Sequence, residues 1–198
     1  FIRNLITAST HDYLMFFTNF GKAYKIKGYE IPEGNRTAKG VPIINFLQLM
    51  QRERVTSVLT IRDFTQDRFL IACTKYGIIK KMNINEFDTN RKAGLIAMKL
   101  KDGDELIGIK ETTGDENVII ITKRGKCICF NEQDVRVMGR NAGGVRAIEL
   151  EKNDEVVSME LAEKKEEIRN GYSQIGLSEI KPTEIVPEDP EPEITIPV

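Results

Sequence analysis

The sequence repeats one hairpin three times, as Thr18-Asn-Phe-Gly21-Lys22, Thr74-Lys-Tyr-Gly77-Ile78 and Thr122-Lys-Arg-Gly125-Lys126. A short apolar stretch precedes each hairpin, and apolar residues follow each glycine at two and five positions. Glycine at this point supplies the positive φ that a tight hairpin loop requires. Each unit is therefore predicted to begin with two antiparallel strands.

Other features recur at fixed distances from these glycines. An acid stands nine residues later: Glu30, Glu86 and Asp134. An arginine stands 14 or 15 residues later: Arg36, Arg91 and Arg140. Strand-like stretches follow at residues 41–44, 95–98 and 145–148, and a closing strand is predicted four times, at residues 4–8, 54–58, 105–109 and 155–159.

Four short strands in a repeat of about 50 residues are typical of propeller-like blades. Several of these strands are apolar at consecutive positions instead of alternating positions. Such strands are buried on both sheet faces, as blades stacked between neighbours would be. The sequence therefore predicts an all-β repeat array.

The charge is unevenly distributed, although the whole chain has a formal net charge of -1. Residues 1–150 contain 24 Lys and Arg against 17 Asp and Glu, a net of +7, whereas residues 151–198 contain 5 against 13, a net of -8. This asymmetry favours a body that binds a polyanion and a regulatory or solubilising tail. A neutral globular domain with a solvated tail would have the same pattern.

The sequence offers no catalytic or metal-binding constellation. His11 cannot form a triad with Ser9 and Asp12, because neighbours in an extended chain point to opposite sides. The C-x-C spacing of Cys127 and Cys129 suits neither a zinc knuckle nor a redox motif, so reduced thiols are expected. No apolar run approaches the roughly 20 residues of a membrane-spanning helix. We expect a cytoplasmic protein without metal, cofactor or membrane contact.

Five stretches of the sequence are long and distinctive: ASTHDYLMFFTN (residues 8–19), GYEIPE (28–33), RTAKGVP (36–42), DGDELIG (102–108) and DVRVMGRNAGGVR (134–146). Together they resemble the family of DNA gyrase A C-terminal domains. The resemblance implies a β-pinwheel, a propeller variant in which adjacent blades exchange a strand. The three repeats predict about three four-stranded blades over residues 1–162, and the acidic, proline-rich composition of the end of the chain predicts a disordered tail over residues 163–198.

The resemblance also implies a function. Members of this family are non-catalytic modules of a type IIA topoisomerase that bind, bend and wrap duplex DNA, and so contribute to ATP-dependent supercoiling by the whole enzyme. The catalytic tyrosine and the ATPase then lie outside this chain. The expected partners are duplex DNA, gyrase B and the rest of gyrase A, in a bacterial cytoplasm at the nucleoid.

The chain departs from the family pattern in three ways. Three repeats are evident where the family has six blades, which indicates a fragment or a truncated form. The family's glycine- and arginine-rich box is absent, so wrapping by this chain alone is not implied. Residues 163–167 are all charged where a fourth blade would need an apolar strand.

Cations recur in register along the repeats. Duplex DNA presents a dense line of phosphates, and a protein that follows it needs positive charges repeated along its surface. The predicted DNA-binding residues are Arg36, Lys39, Lys75, Lys80, Lys81, Arg91, Lys92, Lys123, Arg124, Lys126, Arg140 and Arg146. Nothing resembles a recognition helix, so any specificity is expected to come from DNA deformability instead of base edges.

Three alternatives remain open at this point. Each repeat's arginine could form a structural clamp with the acid of its own repeat. The chain could be a propeller-like protein-interaction scaffold with an incidental basic rim. It could also be the equivalent domain of topoisomerase IV, which shares the fold and the DNA contact, although the string RTAKGVP favours gyrase.

Overall fold

A computed structural model of the protein describes residues 5–65, 67–91 and 94–163, which lie within a compact unit that spans Phe1–Lys164. These residues form eleven β-strands and four short 3-10 helices, and none of them is in an α-helix. None of their helices has the length and apolar character needed to cross a membrane. The all-β prediction is confirmed. The predicted tail lies outside the described residues, except for Glu163.

The strands fall into three repeats. The first repeat contains β1 (Tyr13–Thr18), β2 (Lys22–Lys27) and β3 (Val55–Ile61). The second contains β4 (Phe69–Thr74), β5 (Ile78–Asn83), β6 (Leu95–Ile96) and β7 (Leu106–Thr112). The third contains β8 (Asn117–Thr122), β9 (Cys127–Asn131), β10 (Val145–Arg146) and β11 (Val156–Ala162). The 3-10 helices are Gly28–Glu30, Ile43–Asn45, Ile84–Phe87 and Glu132–Asp134.

Adjacent blades exchange a strand. The first blade has the order β3-β1-β2-β6, so its outer strand comes from the second repeat. The second blade has the order β7-β4-β5-β10, with its outer strand from the third repeat. In the third blade the described strands are β11, β8 and β9. This is the strand exchange that the pinwheel resemblance implies, and it links each repeat to the next.

The core lies between the blades. On β4, Leu70 and Ala72 face the first blade, where they pack in a cluster with Phe17 and Met82. The intervening residues Ile71 and Cys73 belong to a second cluster shared with the third blade. Because both faces of the second blade are buried, its strands are apolar at consecutive positions, as the sequence predicted.

Two predicted strands are absent from the first repeat. The stretch 41–44 is exposed and ends in the 3-10 helix Ile43–Asn45, whereas its equivalents form β6 and β10. Residues 5–8 are exposed and form no strand either. These predictions are wrong for the described residues, because a strand needs a ladder partner and neither stretch has one among them.

The hairpin glycines behave as predicted. Gly21, Gly77 and Gly125 have φ values of 70°, 75° and 84°. A Cβ on Gly21 would lie 2.4 Å from the carbonyl oxygen of Met98, and one on Gly77 would lie 2.7 Å from a methyl group of Ile148. Both obstacles belong to the segment exchanged from the next repeat, so these glycines serve the exchange as well as the turn.

Candidate nucleic-acid interface

One segment of each repeat leads from a 3-10 helix to the turn before the last strand of the repeat (β3, β7 or β11), which we call the inner strand. We call residues 31–49, 88–100 and 135–150 the exchange segments. The second and third of them contain β6 and β10, and therefore form the outer edge of the preceding blade. Together the three segments contain 8 Lys and Arg against 3 Asp and Glu. Their net charge of +5 is most of the +7 that residues 1–150 carry.

Most cations of the exchange segments are free to meet a ligand. They are exposed and form no ion pair with any residue that the structure describes: Arg36, Lys39, Arg91, Lys99, Arg136 and Arg146. Four of these six were predicted from the sequence. Lys99 and Arg136 were missed, because they do not recur at a fixed distance from the hairpin glycines. Lys92, also predicted, lies outside the described residues.

Arg140 has a different role from its equivalents. Its backbone N–H donates to Oε2 of Glu86 at 2.8 Å, its Nε lies 3.9 Å from the same oxygen, and its guanidinium lies 5.9 Å from the ring centre of Phe87. The partner acid therefore belongs to the preceding repeat, and the clamp within one repeat, between Arg140 and Asp134, is not formed. Arg140 joins two blades while about a third of its side chain (31%) stays exposed.

The cations at the second and third hairpin tips are paired with acids. Lys75 and Lys123 each lie 3.0 Å from a carboxylate oxygen of Glu155, and Lys126 lies 2.9 Å from Glu151. The hydrogen bond that Lys75 donates to Glu155 raises the pKa of Lys75, and the ammonium groups of Lys75 and Lys123 lower the pKa of Glu155. The fourth of these cations, Arg124, lies 3.5 Å from Glu151. Four cations thus share two carboxylates, and each of the four has an ion-pair partner, unlike most cations of the exchange segments.

Lys80 and Lys81 are buried, which corrects their predicted place on the cationic surface. The side chain of Lys80 is 0% exposed, and its Nζ donates to the carbonyl oxygens of Ala97, at 2.8 Å, and Arg140. Burial lowers the pKa of Lys80 to about 8. Lys81 is 4% exposed, and its Nζ lies 2.8 Å from Oε2 of the fully buried Glu132. Neither ammonium group can reach a phosphate.

Both buried lysines tie one repeat to the next. Glu132 also accepts hydrogen bonds from the hydroxyl of Thr112 and from two backbone N–H groups, of Gly114 at 3.1 Å and of Glu116 at 2.9 Å. Lys25 occupies the same position in the first repeat as Lys81 in the second, and its Nζ donates to the Thr89 carbonyl at 2.7 Å. Lys25 and Lys81 each stand four residues after a hairpin glycine, and a lysine at this position is the sequence signal for a contact with the next repeat.

The comparisons with known proteins agree with this architecture. The model of the family described as the DNA gyrase C-terminal domain, beta-propeller, matches residues 12–62, 68–112 and 116–163, one match for each repeat. The chain belongs to this family. Each of the three matches begins just before a hairpin and ends at the close of an inner strand, so the family's unit coincides with the repeat found in the sequence.

Individual members of the family extend the comparison. The DNA gyrase A protein of Halalkalibacterium halodurans is 49% identical over 148 residues, which are 75% of this chain and 18% of that protein. The chain thus spans about a fifth of the length of the curated relatives it matches. A structure of a DNA gyrase A C-terminal domain aligns with a TM-score of 0.64 at 31% identity, over 78% of this chain and 49% of that one.

The fold alone does not separate gyrase from topoisomerase IV. A crystal structure of the C-terminal domain of DNA topoisomerase IV aligns with a TM-score of 0.75 at 27% identity, over 79% of this chain and 49% of that one. Sequence identity to the gyrase relative is higher, at 49%. The identity therefore favours gyrase, as the string RTAKGVP does.

A recurrent bond between threonine and acid holds the hairpins of this family member, and sequence reasoning missed it. The hydroxyl of Thr18 donates to Glu53 at 2.7 Å, and that of Thr122 donates to Asp154 at 2.7 Å, with all four residues buried. In the second repeat Asp104 instead accepts from the backbone N–H of Tyr76 at 3.0 Å. The signal was present as an acid two residues before each inner strand.

Proposed function

We propose that this chain is a non-catalytic, DNA-binding module of DNA gyrase A, and that it bends duplex DNA by contacting phosphates along the exchange segments. The observation that carries the proposal is the net charge of +5 on these segments, six of whose cations are exposed without a described ion-pair partner. Phosphate contacts by Lys and Arg supply most of sequence-independent DNA affinity.

The placement of these cations suits a backbone ligand. The second and third exchange segments form the outer edges of the first and second blades, so their charges recur at the spacing of the blades. A duplex that follows several blades would meet one group of cations after another and would have to bend to do so. Bending a duplex costs free energy that depends on its sequence, which would give a preference for deformable DNA without base contacts.

The remaining gyrase functions belong to other parts of the enzyme in this proposal. The chain spans about a fifth of its curated gyrase A relatives, so the ATPase would lie in gyrase B and the DNA-cleaving tyrosine elsewhere in gyrase A. We expect the complete enzyme to work in the bacterial cytoplasm, at the nucleoid, and this module to contribute to supercoiling only within it.

The test removes three free cations, one from each exchange segment, by Arg36→Gln, Arg91→Gln and Arg146→Gln. Affinity for a labelled duplex is measured by fluorescence anisotropy as a function of salt. If each arginine neutralises one phosphate, the slope of log affinity against log salt falls by about 2.7, near 0.9 per contact. Energy transfer between dyes on the two DNA ends reports the accompanying loss of bending.

The control removes the same number of positive charges from the hairpin tips, by Lys75→Gln, Lys123→Gln and Lys126→Gln. Because each of these lysines already pairs with Glu155 or Glu151, the salt slope should change less than for the exchange-segment variant. Equal slopes for the two triple variants would contradict the assignment to the exchange segments. Wild-type DNA affinity that does not depend on salt would contradict the phosphate contacts, and failure to bind the duplex at low salt would contradict DNA binding itself and favour the interaction scaffold.

A further inference from the structure

Lys80 lies on β5, and its buried ammonium group bonds to two exchange segments at once. Its Nζ donates to the carbonyl oxygen of Ala97, at 2.8 Å, and to that of Arg140. Ala97 belongs to the segment 88–100, which forms the outer edge of the first blade, and Arg140 belongs to the segment 135–150, which forms that of the second. A single side chain therefore joins the outer edges of adjacent blades.

The Ala97 carbonyl is attached to the first blade. The N–H of Ala97 donates to the Gly21 carbonyl at 2.9 Å, and Leu95, two residues earlier, pairs with Ala23 on β2. The side chain of Ala97 is fully buried. The first blade thus fixes the position of the carbonyl that Lys80 binds on this side.

The Arg140 carbonyl is attached to the second repeat. The N–H of Arg140 donates to Oε2 of Glu86 at 2.8 Å, and the N–H of Met138, two residues earlier, donates to the Lys81 carbonyl at 2.8 Å. These bonds guide the segment 135–150 along the second repeat before β10 begins. Lys80 links this path to the first blade.

The link occurs at one of the three equivalent positions in the described repeats. The residues three positions after the hairpin glycines are Tyr24, Lys80 and Ile128. The hydroxyl of Tyr24 donates to the Gln48 carbonyl at 3.2 Å, which lies in the exchange segment of its own repeat, and Ile128 has no side-chain donor. A charged donor forms stronger hydrogen bonds than a neutral one, and a buried carbonyl left without a donor costs free energy. The Lys80 link is therefore a firm one.

The two linked segments carry exposed cations, Arg91 and Lys99 on the first and Arg136 and Arg146 on the second. Fixing one edge relative to the other also fixes the relative position of these two groups of charges. We infer that Lys80 is a positioning residue for DNA bending: it contacts no phosphate itself, but it holds the two cationic edges in the relation that a bent duplex meets. This inference rests on the proposed function and names the residue that controls bending.

Loss of the ammonium group should separate DNA bending from DNA binding. Lys80→Met keeps an unbranched side chain in the core but leaves the carbonyls of Ala97 and Arg140 without their shared donor. The two edges can then shift relative to each other. Because the exposed cations are all retained, a duplex can still contact both edges while it follows a straighter path.

The test compares the affinity for an intact duplex with that for the same duplex carrying one central nick, which makes it easier to bend. Bending an intact duplex costs free energy, so wild type should bind the nicked duplex about fivefold more tightly or better. For Lys80→Met this ratio should fall towards one. The lost charge weakens attraction to both duplexes alike and cancels in the ratio. Energy transfer between dyes on the two ends of the intact duplex should report a larger end-to-end distance.

Lys81→Met is the matched control. Lys81 is also a buried lysine of β5 that bonds to the next repeat, but its partner Glu132 lies in a 3-10 helix outside the exchange segments. This variant should lose stability and keep the wild-type ratio, measured at a temperature where both variants are folded by circular dichroism. An unchanged ratio in Lys80→Met would overturn the inference. Equal falls in the two variants would also overturn it, because lost stability would then explain both.

A second variant covers the case in which Lys80→Met does not fold. Glu86→Ala removes the acceptor of the Arg140 N–H, and the Glu86 side chain is 28% exposed, so its truncation disturbs the core less. The ratio should fall in the same direction, and an unchanged ratio would then overturn the inference. Wild type that binds both duplexes equally would contradict bending and this inference with it. Salt-dependent wild-type binding with a preference for the nicked duplex, retained in Lys80→Met, would leave the proposed function standing and overturn this inference alone.

Discussion

The buried pair of Lys81 and Glu132 makes the sharpest prediction about stability. Glu132 is 0% exposed and Lys81 is 4% exposed, with 2.8 Å between Nζ and Oε2. Lys81→Met removes the cation and leaves the carboxylate buried, with hydrogen bonds but no counter-charge. Removing one member of a buried ion pair costs about 3–5 kcal/mol of unfolding free energy.

This cost corresponds to a measurable change in melting temperature. For a domain of about 150–250 residues, 1 kcal/mol shifts the melting temperature by about 2–4 °C, so Lys81→Met should lower it by about 6–20 °C. Thermal unfolding followed by circular dichroism measures the shift. Lys110→Met is the control, because Lys110 pairs with Glu160 at the surface and such pairs contribute about 1 kcal/mol or less.

A second substitution separates the charge effect from lost packing. Adding Glu132→Gln to Lys81→Met removes the orphaned charge but keeps the side-chain oxygen that accepts from Thr112, Gly114 and Glu116. The double variant should therefore be more stable than Lys81→Met alone. The reasoning is refuted if Lys81→Met shifts the melting temperature no more than Lys110→Met does. If the folded Lys81→Met variant showed a smaller slope of log DNA affinity against log salt than wild type, Lys81 would contact a DNA phosphate after all.

Three other predictions concern the pH dependence, the hairpins and the tail. Burial lowers the pKa of Lys80 to about 8 from 10.5, so between these values the unfolded state holds a proton that the folded state has released. The free energy of unfolding should therefore rise as pH increases through this window. The melting temperature of wild type minus that of Lys80→Met should increase over the same window. Thr18→Val removes the bond to Glu53 and should cost about 1.5–3 kcal/mol in urea unfolding, whereas the exposed Thr37→Val should be nearly neutral. Deleting residues 163–198, which carry a net charge of -5 out of the -8 of residues 151–198, should tighten DNA binding at low salt; equal affinities at all salt concentrations would contradict a competing role for this tail.

The sequence by itself determined the repeat and the nature of its strands. The positive φ of a hairpin glycine and the apolar strands beside it are local requirements, so they recur at fixed spacing and can be counted along the chain. The excess of positive charge over residues 1–150 and the opposite excess after them are also properties of composition. The resemblance of these stretches to the gyrase family, which the comparisons confirm, depends on the same local strings.

Only the tertiary structure decided which repeat each residue serves. The short spacing between Asp134 and Arg140 is compatible with a clamp within one repeat, but the structure instead joins Arg140 to Glu86 of the preceding repeat. The same exchange sends the cations of the exchange segments to the outer edge of the neighbouring blade.

Contacts between repeats also determine which lysines are buried. Lys80 and Lys81 stand in a strand where alternation would expose one of them, yet each ammonium group bonds to acceptors that include the next repeat, Arg140 and Glu132 respectively. A sequence pattern reports the spacing within a segment. It does not report which distant backbone carbonyl or carboxylate the folded chain brings to that side chain, and here those distant groups separate a structural cation from one that is free to bind DNA.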